Sequence, residues 1–253
     1  MSTSVEEIIN RLSKKFVTVP EDPNKYQCPK CKDTEFIFYK NEKGLEYVKE
    51  CECKQMKLAE LLLSKSGISE EFQTKTFGNF SDRNIEQIKK AKLKVMQYYT
   101  EFSNIENERV NSIMLCGQVG SGKTHLGMAL ANNLIKTKKI AVIYMEYRQS
   151  ATKLKQLITD DLNYNIELDK YKKARVLFID DLLKGKVTEA DINLLYEIIN
   201  YRYLNKLPMI ISTEKTKEEL IDFDEAIASR IIQMSKEYII ELSGRELNYR
   251  LYG

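Results

Sequence analysis

Eight consecutive residues, Gly117 to Thr124, could hold a phosphate group, because they read Gly-Gln-Val-Gly-Ser-Gly-Lys-Thr. A short apolar run precedes them, and helical sequence from His125 to Lys136 follows. A strand, a glycine-rich turn and a helix N-terminus in this order direct backbone N–H groups and the positive end of the helix dipole at one point. In such a cradle, Lys123 would bridge the β- and γ-phosphates and the Thr124 hydroxyl would bind Mg²⁺. The pattern therefore predicts a nucleoside triphosphate site formed by Gly117, Gln118, Val119, Gly120, Ser121, Gly122, Lys123 and Thr124.

Two adjacent carboxylates, Asp180 and Asp181, follow a second apolar run that reads Val-Leu-Phe-Ile. At a phosphate site, Asp180 is expected to hold Mg²⁺, through water. Asp181 is then placed to orient and deprotonate the attacking water. The pair could instead cap the next helix. Beside a phosphate cradle, the catalytic interpretation is favoured.

Four of the five cysteines lie near the start of the chain, as Cys28-x-x-Cys31 and, after nineteen intervening residues, Cys51-x-Cys53. Two short strands, at 36–39 and 46–49, are predicted between the pairs. Two turns that each present a pair of thiolates could close a tetrahedral zinc site, although C-x-x-C is the commoner spacing for the second pair. Two reversible disulfides or four free thiols are the alternatives. Structural zinc is favoured because a segment with so few apolar residues needs a metal to stabilise its fold.

Five apolar runs, separated by helical sequence, indicate the fold class. Strands that alternate with helices imply crossover connections, hence an α/β fold with a parallel five-stranded sheet covered by helices on both faces. Nucleotide then binds at the carboxyl ends of the strands, where the cradle lies. Twelve residues follow the last run, too few for a C-terminal helical lid. The runs span 112–116, 140–145, 175–179, 209–212 and 238–241.

The whole chain has 253 residues, of which 43% are hydrophobic and 30% charged, with a net charge of +3. This is the composition of a globular protein, and the charge is too small to identify a partner. No apolar run approaches the ~20 residues that span a bilayer, and residues 1–15 lack the apolar core of a secretion signal. We therefore expect a cytoplasmic protein without membrane association. A stretch without clear periodicity predicts two domains, a zinc-ribbon-like domain at 1–66 and an ATPase domain at 67–253.

Several segments together resemble the DnaC/DnaI-type helicase loaders, a branch of the AAA+ ATPases. The cysteine block is similar to the zinc domain of the DnaI-like members. The resemblance implies a P-loop AAA+ fold that uses ATP, Mg²⁺ and Zn²⁺ and hydrolyses ATP. It also implies a protein that assembles with copies of itself and delivers a DnaB-type replicative ring helicase onto single-stranded DNA. The segments are the cradle, the strand ending at Asp180 and Asp181, and residues 195–203, 211–214, 228–230 and 248–250.

The resemblance also assigns roles to two arginines. Arg230 matches the arginine finger, which reaches the γ-phosphate of a neighbouring subunit and neutralises charge in the transition state. The alternative for Arg230 is an ordinary surface ion pair. Arg202 lies on a predicted helix, where a structural pair is the favoured role and an interface role the alternative.

Two further positions match nucleotide sensors. Arg250 matches a C-terminal arginine that senses nucleotide, with Arg245 as a competitor. The other sensor is usually an asparagine at a strand end, where this chain has Glu214 or, one residue earlier, Thr213. An ionised glutamate accepts hydrogen bonds but cannot donate one to phosphate or water. We therefore expect hydrolysis to be slow or to depend on assembly or DNA.

Cations and tyrosines between residues 144 and 173 could bind single-stranded DNA, because lysines contact phosphates and aromatic faces stack on bases. A solvated helical face is the alternative interpretation. In the resembling family this region lines the DNA channel. Two other functions stay open for the chain: a transposition helper ATPase of the same AAA+ branch, and a nucleotide-gated adaptor with little hydrolysis. The residues are Tyr144, Tyr147, Arg148, Lys153, Lys155, Tyr164, Tyr171, Lys172 and Lys173.

Overall fold

A computed structural model of the chain describes residues 26–40, 46–54, 56–57, 61 and 70–252. The chain divides into two compact units, Met1–Lys54 and Gln55–Gly253. The expected boundary between residues 66 and 67 lies outside the described residues, so that position stays a prediction. Across the described ranges, no helix combines the length and the apolar character needed to cross a membrane.

The first unit contains a β-hairpin that matches the two strands predicted between the cysteine pairs. Strand β1 (Phe36–Lys40) pairs antiparallel with β2 (Glu46–Glu50). Phe38 lies opposite Val48 and Tyr39 opposite Tyr47. The two tyrosine rings stack with their centroids 5.2 Å apart. Cross-strand aromatic pairs of this kind stabilise a short ribbon that has little core of its own.

The second unit alternates helices and strands, and each of the five predicted runs coincides with a strand. Two 3₁₀ turns, Lys236–Tyr238 and Arg245–Leu247, flank the last strand. In chain order the elements are α1 (Glu70–Gln73), α2 (Glu86–Ile105), β3 (Ile113–Gly117), α3 (Lys123–Lys136), β4 (Val142–Glu146), α4 (Tyr147–Gln156), α5 (Asp161–Lys173), β5 (Val176–Leu182), α6 (Glu189–Leu204), β6 (Met209–Thr213), α7 (Lys217–Phe223), α8 (Glu225–Met234), β7 (Ile239–Leu242) and α9 (Tyr249–Tyr252).

The five strands of the second unit form one parallel sheet in the order β4-β5-β6-β3-β7. Strand β3, which leads into the cradle, therefore lies between β6 and β7. Strand β5, which carries Asp180, is the other neighbour of β6. Parallel strands all end at the same sheet edge, so the carboxyl ends of β3, β5 and β6 lie side by side.

Alternate side chains of each strand enter two separate apolar layers. On β3, Ile113 and Leu115 pack with the apolar sides of α2 and α3. Met114 and Cys116 face the opposite layer, which includes residues of α4, α5, α6 and α8. A strand buried on both faces reads as a continuous apolar run, which is why the sequence shows no alternation here. The predicted parallel sheet with helices on both faces is confirmed.

Along helix α2, the spacing of four from Ala91 through Val95 predicts that Tyr99 faces the core, but the structure buries Tyr98 there instead. Tyr98 is fully buried, whereas Tyr99 packs only partly against the core. Tyr98 lies three positions after Val95, and its hydroxyl donates to the Asn111 carbonyl at 2.6 Å. Spacings of three and four both fit a helical face, so a polar partner beyond the helix decided between two adjacent tyrosines.

Arg202 on α6 is fully buried and holds the starts of two strands in place. Its guanidinium donates to the carbonyls of Tyr171 at 2.9 Å, Ala174 at 2.8 Å and Pro208 at 2.6 Å. Burial lowers the pKa of Arg202 to about 9. The expected structural role fits this environment, but the partners are backbone carbonyls rather than a carboxylate. Its full burial within the chain is inconsistent with a role at a subunit interface.

Replacing Arg202 with alanine should destabilise the second unit by about 3 kcal/mol or more, because several buried carbonyls lose their donor and a cavity opens. Denaturant unfolding followed by circular dichroism measures the change. Lys90→Ala is the matched control, since Lys90 makes only an exposed pair with Glu86 at 3.6 Å and should leave the midpoint unchanged. Equal midpoints for both variants would contradict the role given to Arg202.

Candidate functional site

The cradle between β3 and α3 requires glycine at defined positions. Gly117, Gly120 and Gly122 have φ values of 100°, 72° and 91°, in the region that other residues rarely adopt. A Cβ on Gly117 would lie 2.3 Å from the Leu242 carbonyl oxygen, and one on Gly122 would lie 2.7 Å from the Phe80 ring. These glycines thus serve close backbone packing as well as the turn.

Lys123 is buried inside the loop, and its ammonium is hydrogen-bonded to backbone carbonyls of the same loop. Nζ donates to the Gly117 oxygen at 2.8 Å and to the Gln118 oxygen at 2.6 Å. Burial lowers the pKa of Lys123, against the opposing effect of the Glu214 and Asp181 carboxylates. An ammonium has three N–H donors, so one more than these two carbonyls use is available for a phosphate.

Asp180 is the polar centre of the sheet edge, and hydroxyls from three elements donate to it. Thr124 donates to Oδ1 at 3.0 Å and Tyr144 to Oδ2 at 2.9 Å, while Ser212 also donates to Oδ1. Burial raises the pKa of Asp180, and the Ser212, Tyr144 and Thr124 hydroxyls partly offset that rise. The structure thus brings together Thr124 and Asp180, the residues predicted to hold Mg²⁺. Reasoning from the sequence missed Tyr144 and Ser212 here, because their contacts depend on the strand order.

Asp181 follows directly in an unusual conformation. Its φ is 55°, and the pairing of β5 with β6 is irregular between Ile179 and Leu182. The Asp181 N–H donates to Ser212 Oγ at 2.9 Å. The next helix, α6, is capped by a Thr188–Asp191 box rather than by the Asp180–Asp181 pair. The helix-cap alternative for the pair is therefore wrong.

A lysine that the sequence did not single out lies between Asp181 and the sensor position. Lys184 Nζ is 2.9 Å from Asp181 Oδ2 and 2.9 Å from Glu214 Oε1. Thr213, the alternative sensor residue, is buried and donates to the Leu182 carbonyl at 2.9 Å. Glu214 is thus the residue at this strand end whose side chain reaches the polar cluster.

The end of the chain contacts the cradle through its backbone. The Tyr249 N–H donates to the Gly120 oxygen at 2.9 Å, and a Cβ on Gly120 would lie 2.3 Å from Asn248 Oδ1. Arg250 is exposed on α9, one residue after this contact. Arg245, its competitor, is exposed in the preceding 3₁₀ turn. The position of Arg250 favours it for nucleotide sensing, and that role stays a prediction.

Arg230 on α8 is held by neutral groups. Its guanidinium donates to Asn200 Oδ1 at 3.0 Å and to the Ala226 oxygen at 2.6 Å, and it lies 5.0 Å from the centroid of the Tyr196 ring. Among the described residues, no carboxylate forms a salt bridge with it. The surface ion pair proposed as its alternative is therefore not observed, and the positive charge is not neutralised within the described chain.

The region considered for DNA binding differs from the expectation. Tyr144, Tyr147 and Tyr171 are buried, so these three rings cannot stack on bases and that part of the expectation is wrong. Each of four lysines there pairs with a carboxylate. The lysine pairs are Lys153 with Glu167, Lys155 with Asp191, Lys172 with Glu197 and Lys173 with Asp169.

The four N-terminal cysteines form one buried cluster. Their Sγ atoms all lie within 4.8 Å of one another, with Cys28 and Cys51 at 3.7 Å and Cys31 and Cys53 at 3.3 Å. Tetrahedral Zn–S bonds of about 2.3 Å set S···S separations of about 3.8 Å, so the cluster fits zinc. All five cysteines of the chain are free thiols, which disfavours the disulfide alternative.

The cluster also favours one thiolate electrostatically. Burial raises thiol pKa values, but hydrogen bonds from the Cys31 and Lys30 backbone N–H groups and from the Cys31 and Cys51 thiols together outweigh this at Cys28 and lower its pKa to about 7. Burial raises the pKa of Cys51 and Cys53. A metal must therefore displace protons from buried thiols, which makes binding pH-dependent.

Two comparisons of the sequence with known proteins give relatives. The sequence model of the family described as IstB-like ATP binding protein matches residues 54–235. The phage-like element PBSX protein XkdC of Bacillus subtilis is 38% identical over 240 residues, covering 92% of this chain and 89% of XkdC. The uncharacterized protein YqaM of the same organism is 43% identical over 213 residues, covering 81% of this chain and 67% of YqaM.

Solved structures show the same fold at low identity. The crystal structure of DnaI matches with a TM-score of 0.58 and 23% identity, covering 70% of this chain and 95% of that one. The crystal structure of the DnaC helicase loader matches with a TM-score of 0.57 and 20% identity, covering 69% of this chain and all of that one. These likenesses establish a DnaC-like AAA+ fold for the second unit.

Purified protein should contain one zinc per chain, and Cys51→Ser should lose it, because three thiolates bind the ion less tightly than four. Elemental analysis by mass spectrometry measures the metal. Cys116→Ala is the control, since Cys116 is buried in β3 of the second unit and is not one of the four clustered cysteines, and it should keep the full content. Wild-type protein that folds without metal would contradict the zinc assignment.

Tyr144→Phe should make Mg²⁺-dependent nucleotide binding more sensitive to acid. Protonated Asp180 cannot hold Mg²⁺, so affinity should fall as pH drops through its raised pKa. Removing the Tyr144 donor raises that pKa further, and the fall should begin at higher pH. Titrations of ATP with and without Mg²⁺ across the acidic range measure this. Tyr147→Phe is the control, and coincident profiles for Tyr144→Phe and wild type would refute the idea.

Proposed function

The chain belongs to the family of IstB-like ATP-binding proteins, and from this we propose that it is an ATP-dependent loader of a replicative ring helicase. In this function the chain binds a DnaB-type helicase and delivers it onto single-stranded DNA. The observation that carries the proposal is the joint presence, in one chain, of a DnaC-like AAA+ fold and a four-cysteine unit. The solved DnaC structure is that of a helicase loader.

Binding and hydrolysis of ATP at the nucleotide site would control this function. We assign the cradle and Lys123 to the phosphates. We assign Thr124 and Asp180 to Mg²⁺, since the Thr124 hydroxyl oxygen already lies 3.0 Å from Asp180 Oδ1. Bound Mg²⁺ would polarise the γ-phosphate and offset the negative charge that builds up during its transfer. Asp181 is the proposed base for the attacking water. Glu214 at the sheet edge and Arg250 in the C-terminal segment complete the proposed nucleotide site.

Arg230 is proposed to act on the nucleotide of a neighbouring copy. Its charge is not neutralised by any carboxylate in the described part of the chain, and Asn200 and the Tyr196 ring hold it in place. A guanidinium that reaches a partner's γ-phosphate makes ATP bind more tightly at the junction than to a monomer. ATP must then favour assembly, because ligand binding and association are linked.

The hairpin of the first unit is the proposed grip for the helicase. Phe38 and Val48, which pair across the strands, are 62% and 53% exposed, and Tyr47 is 52% exposed. Exposed apolar side chains on a rigid ribbon are typical of protein-docking surfaces. A metal-held hairpin would present them without rearrangement, which keeps the entropic cost of binding low.

The two other functions make different demands. A transposition helper of the same AAA+ branch would partner a transposase, and the cysteine unit argues against it because such helpers usually lack one. A nucleotide-gated adaptor would bind ATP with little turnover. Helicase deposition separates the loader from the helper, and turnover with and without single-stranded DNA separates the loader from the adaptor.

The deciding assay mixes the protein with candidate ring helicases, ATP and circular single-stranded DNA, and measures the helicase deposited. Wild-type protein should deposit helicase in ATP and not in ADP. Arg230→Ala should bind ATP as a monomer but lose ATP-dependent self-association, and its turnover should fall by about 10³-fold or more. Light scattering and phosphate release measure these two effects.

Arg175→Ala is the matched control, since Arg175 makes only a surface pair with Glu106 at 2.9 Å. It should behave as wild type in all three measurements. If no ring helicase is deposited and single-stranded DNA leaves turnover unchanged, the loader proposal fails. If Arg230→Ala assembles and hydrolyses ATP normally, the shared site between copies is wrong.

A further inference from the structure

The segment between β5 and α6 places a cation between the two carboxylates at the sheet edge. Lys184 Nζ lies 2.9 Å from both Asp181 Oδ2 and Glu214 Oε1. These carboxylates come from the ends of two adjacent strands, β5 and β6, so the contact is created by the fold. The three side chains form a carboxylate–ammonium–carboxylate bridge, named here the edge bridge.

The backbone fixes Lys184 at this point. Asp181 and Leu183 have φ values of 55° and 60°, which residues with side chains rarely adopt unless their surroundings hold them there. The Lys184 N–H donates to the Asp181 oxygen at 3.1 Å, and the Leu182 oxygen accepts from Thr213 at 2.9 Å. The turn that carries Lys184 is therefore tied to the strand end that carries Glu214.

The edge bridge also reduces the repulsion between carboxylates and phosphate at a triphosphate site. Two carboxylates beside a γ-phosphate would repel it and one another, and neither can donate a hydrogen bond while ionised. An ammonium between them offsets one negative charge and has a third N–H beyond the two that face the carboxylates. The Lys184 side chain is 40% exposed, so a ligand can reach it.

The bridge lies within electrostatic range of the cradle. The charges of Glu214, Asp181 and Lys184 all act on the pKa of Lys123. Burial opposes protonation of Lys184, but the hydrogen bonds that its ammonium donates to the Asp181 and Glu214 carboxylates outweigh this and raise its pKa. Lys184 is thus a cationic donor at the sheet edge where Asp180, the residue directly before Asp181, accepts a hydrogen bond from Thr124 of the cradle at 3.0 Å.

We propose that Lys184 is a γ-phosphate contact that supplies the hydrogen-bond donor missing from Glu214, with Asp181 and Glu214 as its positioning residues. This inference deepens the ATPase part of the proposed function and rests on it, but it does not depend on helicase loading. Glu214 at the sensor position then holds Lys184 in place, and Lys184 contacts the γ-phosphate. Turnover need not be slow on account of Glu214.

The test compares affinities for ADP and for a non-hydrolysable ATP analogue, measured by calorimetry on the full chain with Mg²⁺. Lys184→Met should lower the preference for the ATP analogue about tenfold or more, while ADP affinity stays within about twofold. Turnover should fall about 100-fold. Lys186→Ala, an exposed lysine two residues later, is the matched control and should change neither quantity.

An exchange of charges gives a second, independent readout. Lys184→Glu alone should lose the preference, because it places three carboxylates together. Lys184→Glu combined with Glu214→Lys restores one cation and two carboxylates and should regain about tenfold of it. Thermal melting shows whether each variant folds. If Lys184→Met does not fold, the charge-exchanged variant tests the proposal by itself.

Three results overturn the proposal: equal loss of both affinities in Lys184→Met, no loss of either, or no recovery in the exchanged variant. These assays contain neither helicase nor DNA. A wild-type protein that distinguishes the two nucleotides through Lys184 but deposits no helicase would therefore contradict the loader proposal and leave this inference standing.

Discussion

The buried carboxylate of Asp180 accepts hydrogen bonds from the hydroxyls of Thr124 on α3, Tyr144 on β4 and Ser212 on β6. Burying a charge is costly unless hydrogen bonds replace the lost water, and here three separate elements provide them. The same contacts hold the start of the cradle helix at the ends of three neighbouring strands. The two proposed Mg²⁺ ligands, Thr124 and Asp180, are thus already oriented, so binding of the ion would need little reorganisation.

Around this centre, the cradle is packed by distant parts of the chain. Phe80, which precedes α2, lies against Gly122, and Asn248 and Tyr249 near the C-terminal end lie against Gly120. Arg83 connects these two regions, because its guanidinium donates to the Leu247 oxygen at 2.8 Å. Residues before α2 and residues of the C-terminal segment therefore both pack against the cradle loop and restrict its backbone.

Three cations of the second unit have two different physical roles. Arg202 is sealed in the core and satisfied by backbone carbonyls, so its role is structural. Lys184 and Arg230 stay accessible, one held between two carboxylates and the other held by neutral groups. An accessible, pre-oriented cation can bind a phosphate without first losing buried hydrogen bonds. In the described part of the first unit, the buried cluster consists of four thiols with Ile37 packed against them.

The local parts of this protein follow from the sequence by itself: the glycine-rich cradle, the five strands, the hairpin and the two pairs of closely spaced cysteines. Each is encoded by adjacent residues or by short spacings, so chain connectivity is enough to predict it. Only the tertiary structure decided which side chains meet. Tyr144, Ser212 and Lys184 reach the site because β4, β5 and β6 are neighbours, and Tyr98 replaced Tyr99 because Asn111 offered a partner. Contacts between strands depend on strand order and register, and no local pattern of residues carries that information.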